Sequence, residues 1–255
     1  MAIPRTIRLG DVEVPRIGLG TNRLAHTGEN DAFIRDAVGA GLRHIDTAHT
    51  YVGGQSEATI GEALAPPRNG VVVATKGGWD SGRPEGIREQ IEESLRRLGT
   101  DAIDLYYLHR PDPETPLEES LGPIKEAREA GKIRHVGLSS VSVEQIERGR
   151  QIVPVVAVQN HYNLSERKWE DVVDHCEREG IVFVPFFPLR GEGSFELDEI
   201  AERHGWSPPQ ITLAWLLRRS PAMLPIPGTL SLDHLRENLD ALEIELSDAE
   251  FEALR

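Results

Sequence analysis

Val71-Val72-Val73-Ala74-Thr75-Lys76, a helical period over 84–98, and Ile103-Asp104-Leu105-Tyr106-Tyr107-Leu108-His109 form one strand–helix–strand unit. Both strands are near-continuous apolar runs, so both of their faces are buried, as in a parallel sheet covered by helices. Each run ends in a group with chemistry, an amine in Lys76 and an imidazole in His109. Upstream, Leu42-Arg43-His44-Ile45 runs into Asp46, with Tyr51 shortly beyond. In alternating α/β proteins the site lies at the carboxyl ends of the strands, so an acid, a phenol, an amine and an imidazole gathered there describe a proton-donating centre.

The same beat extends in both directions. Residues 6–9 and 12–14 read as a hairpin around a Gly10-Asp11 turn, ahead of a first core strand at 17–19. Helices are predicted over 30–40, 55–63, 117–130, 143–150, 168–179, 208–218 and 232–241. Strands are predicted over 43–46, 135–138, 155–159, 181–186 and 223–226. Gly131 and Gly180 each close a helix before a strand, where a left-handed residue is needed. About eight βα repeats in 255 residues match a (β/α)8 TIM barrel, which takes ~250 residues, with the hairpin as a cap. No Ser/Gly-rich linker interrupts the pattern, so the expectation is a single domain over 1–255. A doubly wound sheet is the rival, but Gly18-Leu19-Gly20-Thr21-Asn22-Arg23 lacks the third glycine of a dinucleotide fingerprint.

Lys and Arg total 28 against 42 Asp and Glu, a net charge of −14. That field repels nucleic acid and anionic membrane surfaces, so neither is an expected partner. An anionic cofactor would need a local set of amides and cations. The single cysteine, Cys176, rules out an internal disulfide and reads as a helix packing residue in a reducing compartment. The segment Met1-Ala2-Ile3-Pro4-Arg5 has no apolar leader core, and no stretch nears ~18 apolar residues; the expected location is the cytoplasm.

Singly, Asp46, Tyr51, Lys76 and His109 each have an ordinary structural explanation; in this order they point to chemistry. His44 and Asp46 share a strand face, which with His109 raises a metal-dependent hydrolase as an alternative. The later strand ends, Ser139, Gln159 and Phe186, are poor ligands for one.

The segments Asp46-Thr47-Ala48-His49-Thr50-Tyr51, Ala74-Thr75-Lys76-Gly77-Gly78 and Tyr107-Leu108-His109-Arg110-Pro111-Asp112 resemble the aldo-keto reductases. So do Gly18-Leu19-Gly20-Thr21, Val136-Gly137-Leu138-Ser139, Val158-Gln159-Asn160, Pro188-Leu189 and Ile226-Pro227-Gly228-Thr229, in the family's order and spacing. The resemblance implies an NAD(P)H-dependent reduction of aldehydes or ketones to alcohols, with a catalytic tetrad of Asp46, Tyr51, Lys76 and His109. Tyr51 would be the proton donor, with Lys76 lowering the cost of its phenolate, Asp46 orienting Lys76, and His109 placing the carbonyl.

It further implies that Ser139, Ser140 and Gln159 bind a carboxamide, that Phe186 stacks on the nicotinamide, and that Gly20, Thr21 and Asn22 lie near its ribose. Pro188, Leu189, Arg190 and Gly191, in the segment running through Glu192 to Ser194, could wrap the pyrophosphate. Gly228, Thr229, His234, Glu237 and Asn238 resemble the adenosine-phosphate site. The chain departs from the family at Gly228, His234, Ser140 and Asn22, where lysine, arginine, asparagine and tryptophan are common. Histidine supplies a cation only when protonated, so NADPH, favoured over NADH, is expected to bind more weakly as pH rises.

Asn22, the short 110–115 connection and the end of the chain soon after its last helix predict an open, polar mouth and broad reduction of small-molecule carbonyl substrates. A monomer or weak oligomer is expected. A regulatory or redox-sensing nicotinamide-binding subunit is the alternative from a different class.

Overall fold

The computed structural model describes residues 4–65, 68, 70–191 and 193–255; the readings made above for Met1-Ala2-Ile3 and Glu192 fall outside them. The chain begins with the antiparallel hairpin β1 (Thr6–Leu9) and β2 (Val12–Pro15), turned at Gly10 with φ 64°. Seven parallel strands follow in sequential order: β3 (Leu19–Gly20), β4 (His44–Asp46), β5 (Val72–Gly77), β6 (Ile103–Leu108), β7 (Ile133–Ser139), β8 (Val155–Gln159) and β9 (Val182–Phe183).

The eighth place in the ring is held by 222–228, which the periodicity reads as a strand over 223–226. There it makes isolated bridges, Phe183 to Met223 and Gly20 to Gly228. The reason is Pro225 and Pro227. Their carbonyls accept from the Gly18 and Gly20 amides at 2.9 and 3.2 Å, but proline has no N–H to return the ladder bond. On the other side Phe183 and Ala222, and Leu224 and Phe183, bond at 2.8 and 2.9 Å, so the ring closes. Closure needs a bare backbone at Gly20, where a Cβ would sit 2.8 Å from the Ile226 carbonyl oxygen. The architecture is a (β/α)8 TIM barrel with the hairpin as its cap.

The helices α1 (Gly28–Gly39), α2 (Gln55–Ala63), α3 (Pro84–Leu98), α4 (Leu117–Glu129), α5 (Val143–Arg150) and α6 (Glu170–Glu179) pack outside the ring. After β9 come α7 (Phe195–His204), α8 (Pro208–Arg219), α9 (Leu232–Asp240) and α10 (Asp248–Ala253). Two of these, α7 and α10, lie outside the helices expected from periodicity. Both carry a local start signal, Ser194 accepting from the Leu197 amide and the Ser247/Glu250 capping box.

Apolar side chains form two cores. One lies between ring and helices; the other fills the ring with Val72, Ala74, Leu105, Tyr107, Val182 and Leu224, sealed by Leu9 and Val14 of the hairpin. Asp11 at the hairpin turn also meets His135 Nε2 at 2.7 Å.

His44 is fully buried against Gly18, and neither ring nitrogen has a hydrogen-bond partner among the described residues. Burial drives its pKa from 6.5 to about 4, with Asp46 opposing and Lys76 adding to the fall. The unfolded chain therefore protonates first. Stability is intact above the ordinary value and lost as pH falls through 6.5 toward 4, roughly 2 kcal/mol of it by pH 5. His44→Leu is expected to flatten the decline in melting temperature between pH 7.5 and 5. Parallel curves for the two proteins would remove His44 from acid sensitivity.

Candidate active site

The barrel brings the four sequence-selected groups together at its carboxyl end. Asp46 ends β4, Lys76 lies one residue from the end of β5, His109 follows β6, and Tyr51 begins the 3₁₀ turn Tyr51–Gly54. Lys76 is 0% exposed and Asp46 1%. The ammonium donates to Asp46 Oδ1 at 2.6 Å, to the Thr47 carbonyl at 2.7 Å and to the Tyr51 hydroxyl at 3.4 Å, filling its three donor positions. The second carboxylate oxygen accepts from Gln159 Nε2 at 2.7 Å.

Burial alone would lower the Lys76 pKa; Asp46 first and Tyr51 next reverse this and hold it above the ordinary lysine value. The ammonium is thus a fixed charge at neutral pH. Tyr51 runs opposite to the expectation that its cationic neighbour makes it more acidic. Burial raises its pKa, Lys76 pulls it back, Asp46 pushes it up again, and the sum lies above 10. The phenol therefore keeps its proton at neutral pH, as a donor must. His109 is driven down to about 2 by burial, Lys76 and Arg110, so its imidazole is neutral and can share a hydrogen bond without adding charge. Its ring stands edge-on to Tyr51, centroids 6.0 Å apart at 77°.

A second layer fixes the loop that carries Tyr51. Glu57, fully buried on α2, accepts from Thr75 Oγ1 at 2.6 Å and from Arg97 at 3.3 Å. Arg97 on α3 also donates to the His49 carbonyl at 3.1 Å, two residues before Tyr51, and lies against Gly54. Val52 is held at φ 50°, ψ 39°, a left-handed conformation that a β-branched residue adopts only under constraint.

The cleft above these groups has a volume of about 960 Å³. Gly20, Thr21, Asn22, Ser139, Ser140, Gln159, Phe186, Pro188, Leu189, Arg190 and Gly228 all line it. Thr21 is committed as well to structure, its hydroxyl bonding the Asp46 carbonyl and Ser56 Oγ, both at 2.8 Å. Ser140 sits at φ 59°, a conformation asparagine tolerates better, which gives a physical reason for the asparagine common there. Asn160 clamps the loop after β7, accepting from the Val141 amide at 3.0 Å and donating to its carbonyl at 2.8 Å.

The remaining sequence-selected positions lie outside that lining. Gly191 packs against Ser165, where a Cβ would come within 2.6 Å of its hydroxyl oxygen. Thr229 Oγ1 accepts from the Ser231 amide at 3.0 Å, and His234 is exposed in the first turn of α9. Glu237 is exposed with its carbonyl bound to Gln210 Nε2 at 2.9 Å, while Asn238 is buried.

The rim is mixed, with Asn22, Arg23, Arg110 and Arg190 lining the cleft beside an apolar group. Trp79, 43% exposed, Phe187 and Leu189 line the cleft and give it an apolar wall. Trp79 lies two residues past β5 and packs 4.7 Å from the His109 ring, the place from which a strand-end search could have found it. Arg23, Thr50, Arg110 and Ile226 were also missed. The metal reading is overturned by bonding: both Asp46 oxygens are taken, one by a cation, and among the described residues no three His, Cys, Asp or Glu side chains gather as a ligand set.

A dinucleotide fits what is present. Gly20 and Gly228 leave a bare-backbone cradle, where a Cβ on Gly228 would lie 3.2 Å from the Gly20 carbonyl oxygen. Phe186 reaches the cleft while stacking on His161, 5.3 Å between centroids at 10°. Gln159, with its amide nitrogen on Asp46, keeps a carbonyl oxygen to accept.

Comparison with known proteins gives the same picture. The model of the Aldo/keto reductase family matches residues 16–255. An uncharacterized oxidoreductase of Schizosaccharomyces pombe is 40% identical over 271 residues, covering 98% of this chain and 88% of its own length. A thermostable aldo-keto reductase solved with the inhibitor epalrestat superimposes with a TM-score of 0.91 at 35% identity, covering 98% of each chain. An aldo/keto reductase from Klebsiella pneumoniae, solved with NADP and acetate, gives 0.89 at 31% identity, covering 99% of this chain and 94% of its own.

Proposed function

The chain belongs to the aldo/keto reductase family, and from that premise we propose that it is one barrel domain that reduces aldehydes or ketones to alcohols with NADPH, Tyr51 giving the proton. The observation that carries this reading is the buried Asp46–Lys76 pair bonded to the Tyr51 hydroxyl at the floor of a dinucleotide-sized cleft. NADPH, when bound, supplies the hydride.

The chain's own residues do the rest. Tyr51 and the neutral His109 hold the carbonyl oxygen, and as charge builds on it the Tyr51 proton is transferred to it. Lys76 sits beside the phenolate oxygen left behind and stabilises it, and Asp46 keeps Lys76 in place. Trp79 and Phe187 would give the substrate an apolar wall at an otherwise open mouth. Phe186 would face the nicotinamide, Ser139, Ser140 and Gln159 its carboxamide, and Gly20, Thr21 and Asn22 the ribose. Pro188, Leu189, Arg190 and Gly191 would follow the pyrophosphate, and Gly228, Thr229, His234, Glu237 and Asn238 the adenosine phosphate.

NADPH is the favoured cofactor, in line with the NADP in the Klebsiella pneumoniae relative. Absence of aldehyde-dependent NADPH oxidation across a panel of simple aldehydes and ketones would overturn the reductase reading. His234 stands exposed where the 2′-phosphate is expected, so fluorescence titration is expected to give a larger NADPH dissociation constant for His234→Ala than for the wild type. Equal constants would remove His234 from phosphate binding.

A further inference from the structure

The cleft has one cation lying away from the residues assigned to the cofactor. Its lining holds three arginines, Arg23, Arg110 and Arg190, and one acid, Asp46, already paired with Lys76. In a chain of net charge −14 this is a local island of positive potential. Two of the three lie on the wall assigned to the dinucleotide: Arg23 follows Gly20-Thr21-Asn22 past β3, and Arg190 follows Phe186 past β9.

Arg110 stands elsewhere. It directly follows His109 at the end of β6, beside β5, whose extension carries Trp79. Its guanidinium carbon lies 4.5 Å from the Trp79 ring centroid, and Nε donates to the Trp79 carbonyl at 2.8 Å. That ring in turn packs on His109. The stack and the Nε bond fix the guanidinium's orientation and leave its two terminal nitrogens without a hydrogen bond among the described residues. Arg110 makes no ion pair among the described residues. Asp112 feels its charge, but the Asp112 oxygens already accept from the Gly82 amide at 2.7 Å, the Glu114 amide at 3.0 Å and the Thr115 hydroxyl at 3.0 Å.

We propose that the substrates this cleft selects are carbonyl compounds bearing a second, carboxylate group, and that Arg110, held on Trp79, is the residue that selects them. The assignment rests on the reductase reading above. The carbonyl sits at Tyr51 and His109, and the carboxylate meets the paired N–H donors of Arg110, the geometry in which guanidinium binds a planar oxyanion with two bonds. A charge-assisted pair of this kind beside an apolar ring is worth about ten-fold or more in kcat/KM over a neutral isostere.

The experiment measures kcat/KM with NADPH for 3- and 4-formylbenzoate against their methyl esters, in the wild type, Arg110→Met and Arg110→Lys. For at least one isomer the acid-to-ester ratio is expected to be about ten or more at low salt and to shrink as salt rises. It is expected to fall to about one in Arg110→Met and to an intermediate value in Arg110→Lys, which keeps the charge and loses the fork. Wild-type ratios near one for both isomers, or a ratio that survives Arg110→Met, overturn the assignment while leaving the reductase intact. If the wild type oxidises NADPH with none of the four aldehydes but does so with simple aldehydes or ketones, only the assignment is overturned; inactivity across that panel as well overturns the reductase reading and the assignment with it.

Discussion

Tyr51→Phe is expected to lower turnover by ~10²–10⁴-fold, the usual worth of a positioned general acid. Only one oxygen is removed, and the Lys76 ammonium keeps its bonds to Asp46 Oδ1 and the Thr47 carbonyl at 2.6 and 2.7 Å. The Tyr51 contact is the longest of its three, 3.4 Å, so stability is expected to change by no more than about 1 kcal/mol. The ring still fills its place beside His109, and NADPH, whose proposed contacts are with other residues, is expected still to bind. The signature is therefore lost kcat with a retained cofactor dissociation constant. Retention of more than about a tenth of wild-type turnover would show that another group donates the proton. The wild-type alkaline limb is a second reading of the same residue: with the phenol pKa raised by burial, reduction is expected to persist through the neutral range and fail only where the donor ionises.

Lys76→Met is expected to remove both activity and much of the stability. The variant leaves Asp46, 1% exposed, with only the Gln159 amide for company. Breaking a buried pair from one side costs about 3–5 kcal/mol, because a charge is left without its partner. The double variant Asp46→Asn/Lys76→Met removes both charges and is expected to recover most of that stability, but not turnover, since the phenolate of Tyr51 still lacks its cation. Equal stability of single and double variants in urea would show that the pair is not coupled. The pH dependence has a definite sign. Burial opposes the Lys76 charge and Asp46 more than restores it, so the folded pKa is above 10.5. A raised lysine contributes its stability at every pH below the ordinary value and loses it as pH rises through the folded one. The wild-type advantage over Lys76→Met is therefore expected to hold from pH 6 to 9 and to shrink above 10.5.

Where the chain's pattern was strong, its reading held to within a residue. The helix over 84–98 is α3, Pro84–Leu98, opening on a proline and closing on Gly99 with φ 61°. The runs ending at Lys76 and His109 are buried parallel strands whose ends carry the groups read from them. The failures are equally specific. α10 is six residues long and buries none of them, so it has no apolar period, whereas α7 carries Leu197, Ile200 and Ala201 at helical spacing behind a serine cap and was legible but overlooked. The strand expected over 223–226 ignored what two prolines do to a ladder. The mouth expected to be polar is lined by Asn22 and three arginines but also by Trp79 and Phe187, whose loops after β5 and β9 meet there only in the folded chain.

Order, spacing and residue type were enough to give a closed ring of βα units and to name the acid, phenol, amine and imidazole at its carboxyl end, because strand period and strand polarity are local properties of the chain. The folded chain alone decided which groups meet. Gln159 holds Asp46 across 113 positions, and burial outweighs Lys76 in keeping Tyr51 protonated. Trp79 turns Arg110 into a fixed fork. Distances between loops, and the desolvation that sets a proton's affinity, arise only when the ring closes and water is excluded.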